Sequence, residues 1–113
     1  MVPTIDTPTF TSLAAMPGVL ALDFTARWCG PCKVMHPVLA SLADEYGARV
    51  RIVAIDVDDE PMLAQRFLVR SMPTLVILRD GREVGRVVGT RPRAFVKGVI
   101  DRAIAGDVAI AHP

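Results

Sequence analysis

The sequence predicts an α/β fold, with one mixed β-sheet carrying helices on both faces. Three observations lead there. Apolar runs bounded by turn residues follow one another in the order β-α-β-α-β-β-α. A β-α-β unit implies parallel strands joined through a helix. Asp80-Gly81, between the last two strand-like runs, is a two-residue hairpin signal and adds an antiparallel strand. Helices on both faces are the usual cover for such a sheet.

Each element has a local reason. Pro3 suits only an edge position if residues 2–5 form a strand. Residues 9–15 fit a short helix, and Met16-Pro17-Gly18 is a turn. Residues 19–24 are an apolar run broken only by Asp23, as in a central strand buried on both sides. Pro31 suits the first turn of the next helix, where Met35, Val38, Leu39, Leu42 and Tyr46 recur at helical spacing before Gly47 closes it. Pro37 lies inside that helix, lacks an amide hydrogen and predicts a kink. Residues 50–57 form a second β-rich run. Asp58, Asp59 and Pro61 read as a capping cluster for a short helix bearing Met62, Leu63 and Phe67. Residues 74–78 are a third buried strand; residues 83–88 return after the hairpin, with Gly85 marking a bulge. Thr90 and Pro92 open a last helix with Phe95, Val96, Val99, Ile100 and Ala103 on one face and Gly106 after its end. Residues 107–113 read as a frayed tail.

A length of 113 residues predicts a single domain over residues 1–113, with its core at about residues 8–105. The 51% apolar content and 5% aromatic content fit a compact globular chain. Thirteen basic and twelve acidic residues are scattered along it for a net charge of +1, so nucleic acid is not an expected partner. No run reaches the ~18 apolar residues of a membrane span, so no membrane partner is expected. The opening MVPTIDTPTF has neither a basic n-region nor an apolar h-region, and the expectation is a cytoplasmic location. A Cys pair in that compartment is more often catalytic or redox-sensing than a structural staple.

The only two cysteines, Cys29 and Cys32, stand in Trp28-Cys29-Gly30-Pro31-Cys32-Lys33 at a strand-to-helix junction. The two-residue gap lets the sulfurs meet once the first helical turn forms. Cys29 at the helix start lies among unpaired backbone N–H groups and the positive dipole end, which favour a thiolate. Such placement lowers a thiol from ~8.5 by one to several units. Cys32, one turn in and less exposed, is the resolving thiol. A structural zinc site wants four ligands, and the chain adds only His36 one turn on and His112 in the tail. Haem attachment wants a His where Lys33 stands. Neither a metal nor a bound cofactor is therefore expected.

Asp23 in an apolar run is costly unless it is neutral or hydrogen-bonded. It is either an edge-facing or capped carboxylate, or a buried acid with a strongly raised pKa, fit to take a proton from the resolving thiol. His36 reads as a surface or half-buried helix residue with at most a minor part in tuning the thiols. Arg27 is either a solvated loop charge or a cation acting on the thiols and on acidic partners.

The Trp-Cys-Gly-Pro-Cys-Lys motif, with Asp23 in its apolar run, Pro37, Met72-Pro73-Thr74, Gly81 and Gly89 at the matching spacings, resembles the thioredoxin family over about residues 8–105. The resemblance implies the thioredoxin fold, a central mixed sheet of four or five strands flanked by about four helices. It implies a cis peptide bond before Pro73, which would leave the Met72 N–H and C=O free to pair with an extended substrate peptide. It implies an apolar docking rim of Trp28, Gly30, Pro31, Met72, Pro73, Val88, Gly89 and Thr90 around Cys29. It gives Asp23 the role of serving Cys32 through a water. Many family members place a Lys on the next strand beside this Asp; here that position is Ala54, which should leave Asp23 harder to ionise.

The function so implied is general protein disulfide reduction. A Cys29 thiolate attacks a substrate disulfide, and Cys32 resolves the mixed disulfide with help from Asp23. A thioredoxin reductase would restore the dithiol, drawing on NADPH that the chain itself does not bind, and the chain would act as a monomer on disulfide-containing proteins. Two rivals remain. An oxidase or isomerase usually carries a His between the cysteines, where this chain has Gly30-Pro31. A scaffold or chaperone would keep its partner after both cysteines were replaced by Ser.

Overall fold

The computed structural model describes residues 2–106. In chain order the elements are α1 (Thr7–Ala14), β1 (Val19–Thr25), α2 (Gly30–Tyr46), a 3-10 turn at Gly47–Arg49, β2 (Val50–Asp56), α3 (Pro61–Arg66), β3 (Thr74–Arg79), β4 (Arg82–Val88) and α4 (Arg93–Ala105). The four strands form one mixed sheet in the order β2-β1-β3-β4. The expected frayed tail, 107–113, lies outside the described residues.

β1 is buried along its whole length because it is interior to the sheet. β2 runs parallel to it, from Val19↔Val50 to Thr25↔Asp56, and β3 runs antiparallel on its other side. The period of two sends Leu20, Leu22 and Phe24 to one face, where they pack with Phe10 of α1 and Leu63 of α3. Val19 and Ala21 go to the other face, under Leu39 of α2 and Val96 and Ile100 of α4. Asp23 and Thr25 continue that second row. An acid read as an interruption of the strand therefore points beneath α2.

The four-or-five-strand expectation resolves as four strands and one bridge. Thr4 pairs with Ala54 on the outer edge of β2; the Ala54 amide donates to the Pro3 carbonyl at 2.8 Å and the Ile5 amide donates to the Ala54 carbonyl at 2.9 Å. Pro3 contributes only a carbonyl, which is all an edge proline can offer. The segment also covers an otherwise open edge.

Four local expectations need correction. Asp58 and Asp59 do not cap α3, whose N-cap is Glu60 with no side-chain capping bond; both are engaged elsewhere. Thr90 does not open α4, whose N-cap is Pro92. Phe95, expected on the inner face of α4, is 46% exposed and lies under the Arg91 guanidinium instead. The β3–β4 bulge falls at Val84, skipped between the pairs Ile77↔Gly85 and Leu78↔Glu83, one residue before the glycine expected to mark it.

Candidate active site

Cys29 is the N-cap of α2, with Gly30 and Pro31 opening the helix. Its backbone is extended (φ −89°, ψ 106°), and its sulfur accepts a hydrogen bond from the Cys32 amide at 3.2 Å. A capping side chain normally accepts from the second or third helical amide; here sulfur takes the place of a Ser or Asp oxygen. The site that would hold a capping carboxylate thus holds an atom that becomes an anion on deprotonation. Cys29 and Cys32 form a disulfide, with Cα atoms 5.3 Å apart. Cys32 is fully buried, as expected. Cys29 is only 4% exposed, less than an attacking thiol at a rim suggests, because Ala26, Val57 and Met72 pack around the pair.

The flanks are ordered from the loop after β2. Trp28 is 67% exposed, and its indole N–H donates to the Asp58 carboxylate at 2.8 Å. Arg27 donates to Asp59 at 2.9 Å and stands 3.6 Å from Asp56. The hydrogen bond from Arg27 to Asp59, with the nearby acidic charges, raises the guanidinium pKa further. Arg27 is thus a solvated loop charge, its side chain 76% exposed, held in ion pairs with Asp59 and Asp56. Buried Asp56 accepts from the amides of Asp58 (2.8 Å) and Asp59 (3.2 Å), which fixes that loop. The acidic run after β2 is thus an anchor for the Trp28 loop, and an Asx-type turn signal (an Asp two residues before another) was its trace in the sequence.

The Met72–Pro73 peptide bond is cis. Met72 packs against the cysteine cluster, and the Pro73 carbonyl accepts from the Gly89 amide at 2.8 Å. That bond and the Thr74↔Val88 pair tie the segment 88–90 to the proline. Gly89 has φ +82°, open to glycine at little cost. Trp28, Gly30, Pro31 and Thr90 are exposed, Met72, Val88 and Gly89 are half-buried, and Pro73 is buried.

The Asp23 carboxyl is 2% exposed, and neither oxygen accepts a hydrogen bond from any described protein group. The edge-facing and capped alternatives do not hold for an interior strand with no donor at hand. Burial raises its pKa to about 7. Its partner in β2 is Ala54, as the sequence count predicted, so no cation reaches it from that strand. The ionisable group near it comes from α2: His36 Nε2 lies 4.0 Å from Asp23 Oδ2 and 3.2 Å from Thr25 Oγ1. Thr25 had no place in the sequence reading, because a Thr near a strand end carries no signal of its own. Among the described residues, no group of three or more His, Cys, Asp or Glu is placed to hold a metal ion, and no helix is long and apolar enough to cross a membrane.

The family model that matches is described as Thioredoxin and covers residues 2–102. Thioredoxins of Staphylococcus haemolyticus and Staphylococcus saprophyticus are each 45% identical over 85 residues, 75% of this chain and 82% of theirs. Mitochondrial thioredoxin 3 of Saccharomyces cerevisiae in its oxidised form superposes with a TM-score of 0.79 at 40% identity, covering 88% of this chain and 94% of that one. A mutant thioredoxin of Halobacterium salinarum gives 0.80 at 33% identity, over 88% of this chain and 87% of that one.

Proposed function

The chain belongs to the thioredoxin family, and from that premise we propose which residues carry its dithiol–disulfide exchange and what renews it. The activity is thiol–disulfide oxidoreduction through the Cys29–Cys32 pair. Cys29 is the nucleophile and Cys32 the resolving thiol. The single observation that carries this order is the Cys32 amide donating to the Cys29 sulfur at the helix N-cap, a position that favours negative charge on Cys29.

In the first step the Cys29 thiolate attacks one sulfur of a substrate disulfide. A Cys29–substrate S–S bond forms, and the other substrate sulfur leaves as a thiolate. Cys32 then loses its proton to Asp23 and attacks Cys29; the intramolecular disulfide forms and the second substrate thiolate leaves. Two electrons have passed from the dithiol to the substrate. A buried acid titrating near neutrality can hold that proton and release it again. Trp28, Gly30, Pro31, Met72, Pro73, Val88, Gly89 and Thr90 form the rim on which a substrate protein docks; the exposed Trp28 indole beside the disulfide supports this. A thioredoxin reductase drawing on NADPH returns the pair to the dithiol. The chain acts as a single domain and a monomer, in the cytoplasm.

The test is reduction of a protein disulfide with dithiothreitol as donor, run beside the equilibrium potential of the pair. Cys29→Ser should abolish turnover, and Cys32→Ser should accumulate a mixed disulfide at Cys29. The potential should lie below a cytosolic glutathione poise of about −220 to −260 mV. A value at the oxidising end would instead assign an oxidase or isomerase, and no redox transition would leave only the scaffold role.

A further inference from the structure

A cavity of about 320 Å³ runs beneath α2 with the buried Asp23 carboxyl in its wall. Its other polar side chains are Thr4, Thr25 and His36; Ala54, Leu39 and Val2 close it with apolar surface. Asp23 and Thr25 come from β1, and His36 comes from α2 one turn past Cys32. Ala54 on β2 offers the acid no polar group, and its other strand neighbour is Leu75. The charged groups that face the imidazole from the adjoining cleft are Arg27 and Asp56, which line it with His36 and Thr25 and are 3.6 Å from each other.

Of the described side chains that line this cavity, His36 is the ionisable one within reach of the Asp23 carboxyl. The His36 side chain is 50% exposed, while Asp23 is 2% exposed, so one imidazole touches both the cavity and the solvent. A gap of 4.0 Å from Nε2 to Oδ2 is too long for a hydrogen bond and short enough to close by a small rotation of the ring or through one water. The Thr25 hydroxyl, 3.2 Å from the same nitrogen, holds the ring at this mouth. Histidine is also the side chain whose ordinary charge change falls in the neutral range.

We propose that His36 is the proton outlet of Asp23, a positioning residue that carries the proton of the resolving thiol from the buried carboxyl to solvent. This rests on the reading of Asp23 as proton acceptor. The balance is simple. The Cys32 S–H bond breaks, and its proton passes to the Asp23 carboxylate. The Cys32 electron pair forms the bond to Cys29, and the substrate sulfur leaves with the pair of the broken S–S bond. The Asp23 proton passes to His36 Nε2 while the Thr25 hydroxyl gives up that nitrogen. The imidazolium then loses a proton to bulk water, and the departing thiolate takes one from it.

The test is single-turnover kinetics of the two steps in His36→Ala, over pH 5.5–9. The attack step is read in a Cys32→Ser background, and the resolving step as release of the substrate thiol. Resolution in His36→Ala should slow about tenfold near pH 7, within what a proton-transfer group supplies, while attack is unchanged. Added imidazole should restore much of the rate, because a small base can enter the emptied mouth of the cavity. Unchanged resolution with the parent pH profile would overturn the proposal, as would an equal loss in both steps that imidazole leaves untouched. Asp23→Asn separates the two possible failures. If Asp23→Asn resolves as fast as the parent, the reading of Asp23 itself fails and this inference goes with it. If Asp23→Asn is slow and His36→Ala is not, only the His36 step fails.

Discussion

A carboxyl group with both oxygens out of water and no donor beside them persists more readily as the neutral acid than as the anion. That is the state of Asp23 below about pH 7, the value to which burial lifts it from 3.8. The sign for stability follows. Between about pH 4 and 7 the folded chain holds a proton here that the unfolded chain has released, so the stability due to this group is full below pH 4 and is lost as the pH rises through 7. A shift of this size corresponds to roughly 4 kcal/mol. Leu has nearly the shape of Asp without the charge. Asp23→Leu should therefore gain stability over the parent by an amount that grows by several kcal/mol from pH 4 to pH 9, read from guanidinium unfolding at both values. An equal gain at the two pH values would mean that the carboxyl ionises in the fold as readily as in the unfolded chain, with no raised pKa.

At the scale of elements, the sheet is tied at the end remote from the cysteines by a turn-to-turn contact. Asp80 and Gly81 both take positive φ (51° and 82°) in the β3–β4 hairpin. The Asp80 amide donates to the Gly18 carbonyl at 2.9 Å, and the Gly18 amide donates back to the Asp80 carboxylate at 2.8 Å. This closes the entry to β1 against the hairpin. A Cβ on Gly81 would stand 2.9 Å from the Ala14 carbonyl oxygen, a backbone atom that cannot swing aside. Gly81→Ala should cost about 2 kcal/mol or more through that clash and the strained φ together, measured as a fall in the denaturant midpoint. No change would show that α1 shifts freely away from the hairpin. The active-site loop is held in the same manner: Asp56 orders residues 58 and 59, and these hold Trp28 and Arg27.

For the whole molecule, the two cysteines contribute little to what keeps the chain folded. The sheet is packed on one face by α2 and α4 and on the other by α1 and α3, in two clusters that do not include the disulfide. The cysteines sit in a third, small cluster at one end of β1. A crosslink across a four-residue loop restricts the unfolded chain by only roughly 2 kcal/mol. The dithiol form should accordingly keep the full far-ultraviolet circular dichroism signal and unfold cooperatively, with stability lower by about 2 kcal/mol or less. Loss of cooperative unfolding on reduction would assign the pair a structural role instead. A fold indifferent to the state of its thiols is what a carrier of reducing equivalents needs, since it must dock in both states.

How much of this was legible in the chain depends on range. The strands, the helix holding Cys29 and Cys32, the hairpin at Asp80-Gly81 and the family were readable from the sequence, because apolar periodicity, turn chemistry and a spaced thiol pair are local signals. The absence of a cation opposite Asp23 was readable through the family resemblance, which puts a Lys in many members where this chain has Ala54, and the strand register pairs Asp23 with Ala54. What escaped were partnerships between residues distant in the chain. Asp58 and Asp59 stand before a short helix, where capping is their expected use; only the loop's return towards Trp28 and Arg27 redirected them. His36 was an ordinary helix residue until the packing of α2 over β1 set its ring beside Thr25 and Asp23. Local sequence determines which backbone forms and where the thiols stand on it. The path by which a buried proton reaches water is decided by tertiary packing, because that path depends on distances between side chains which no spacing along the chain specifies.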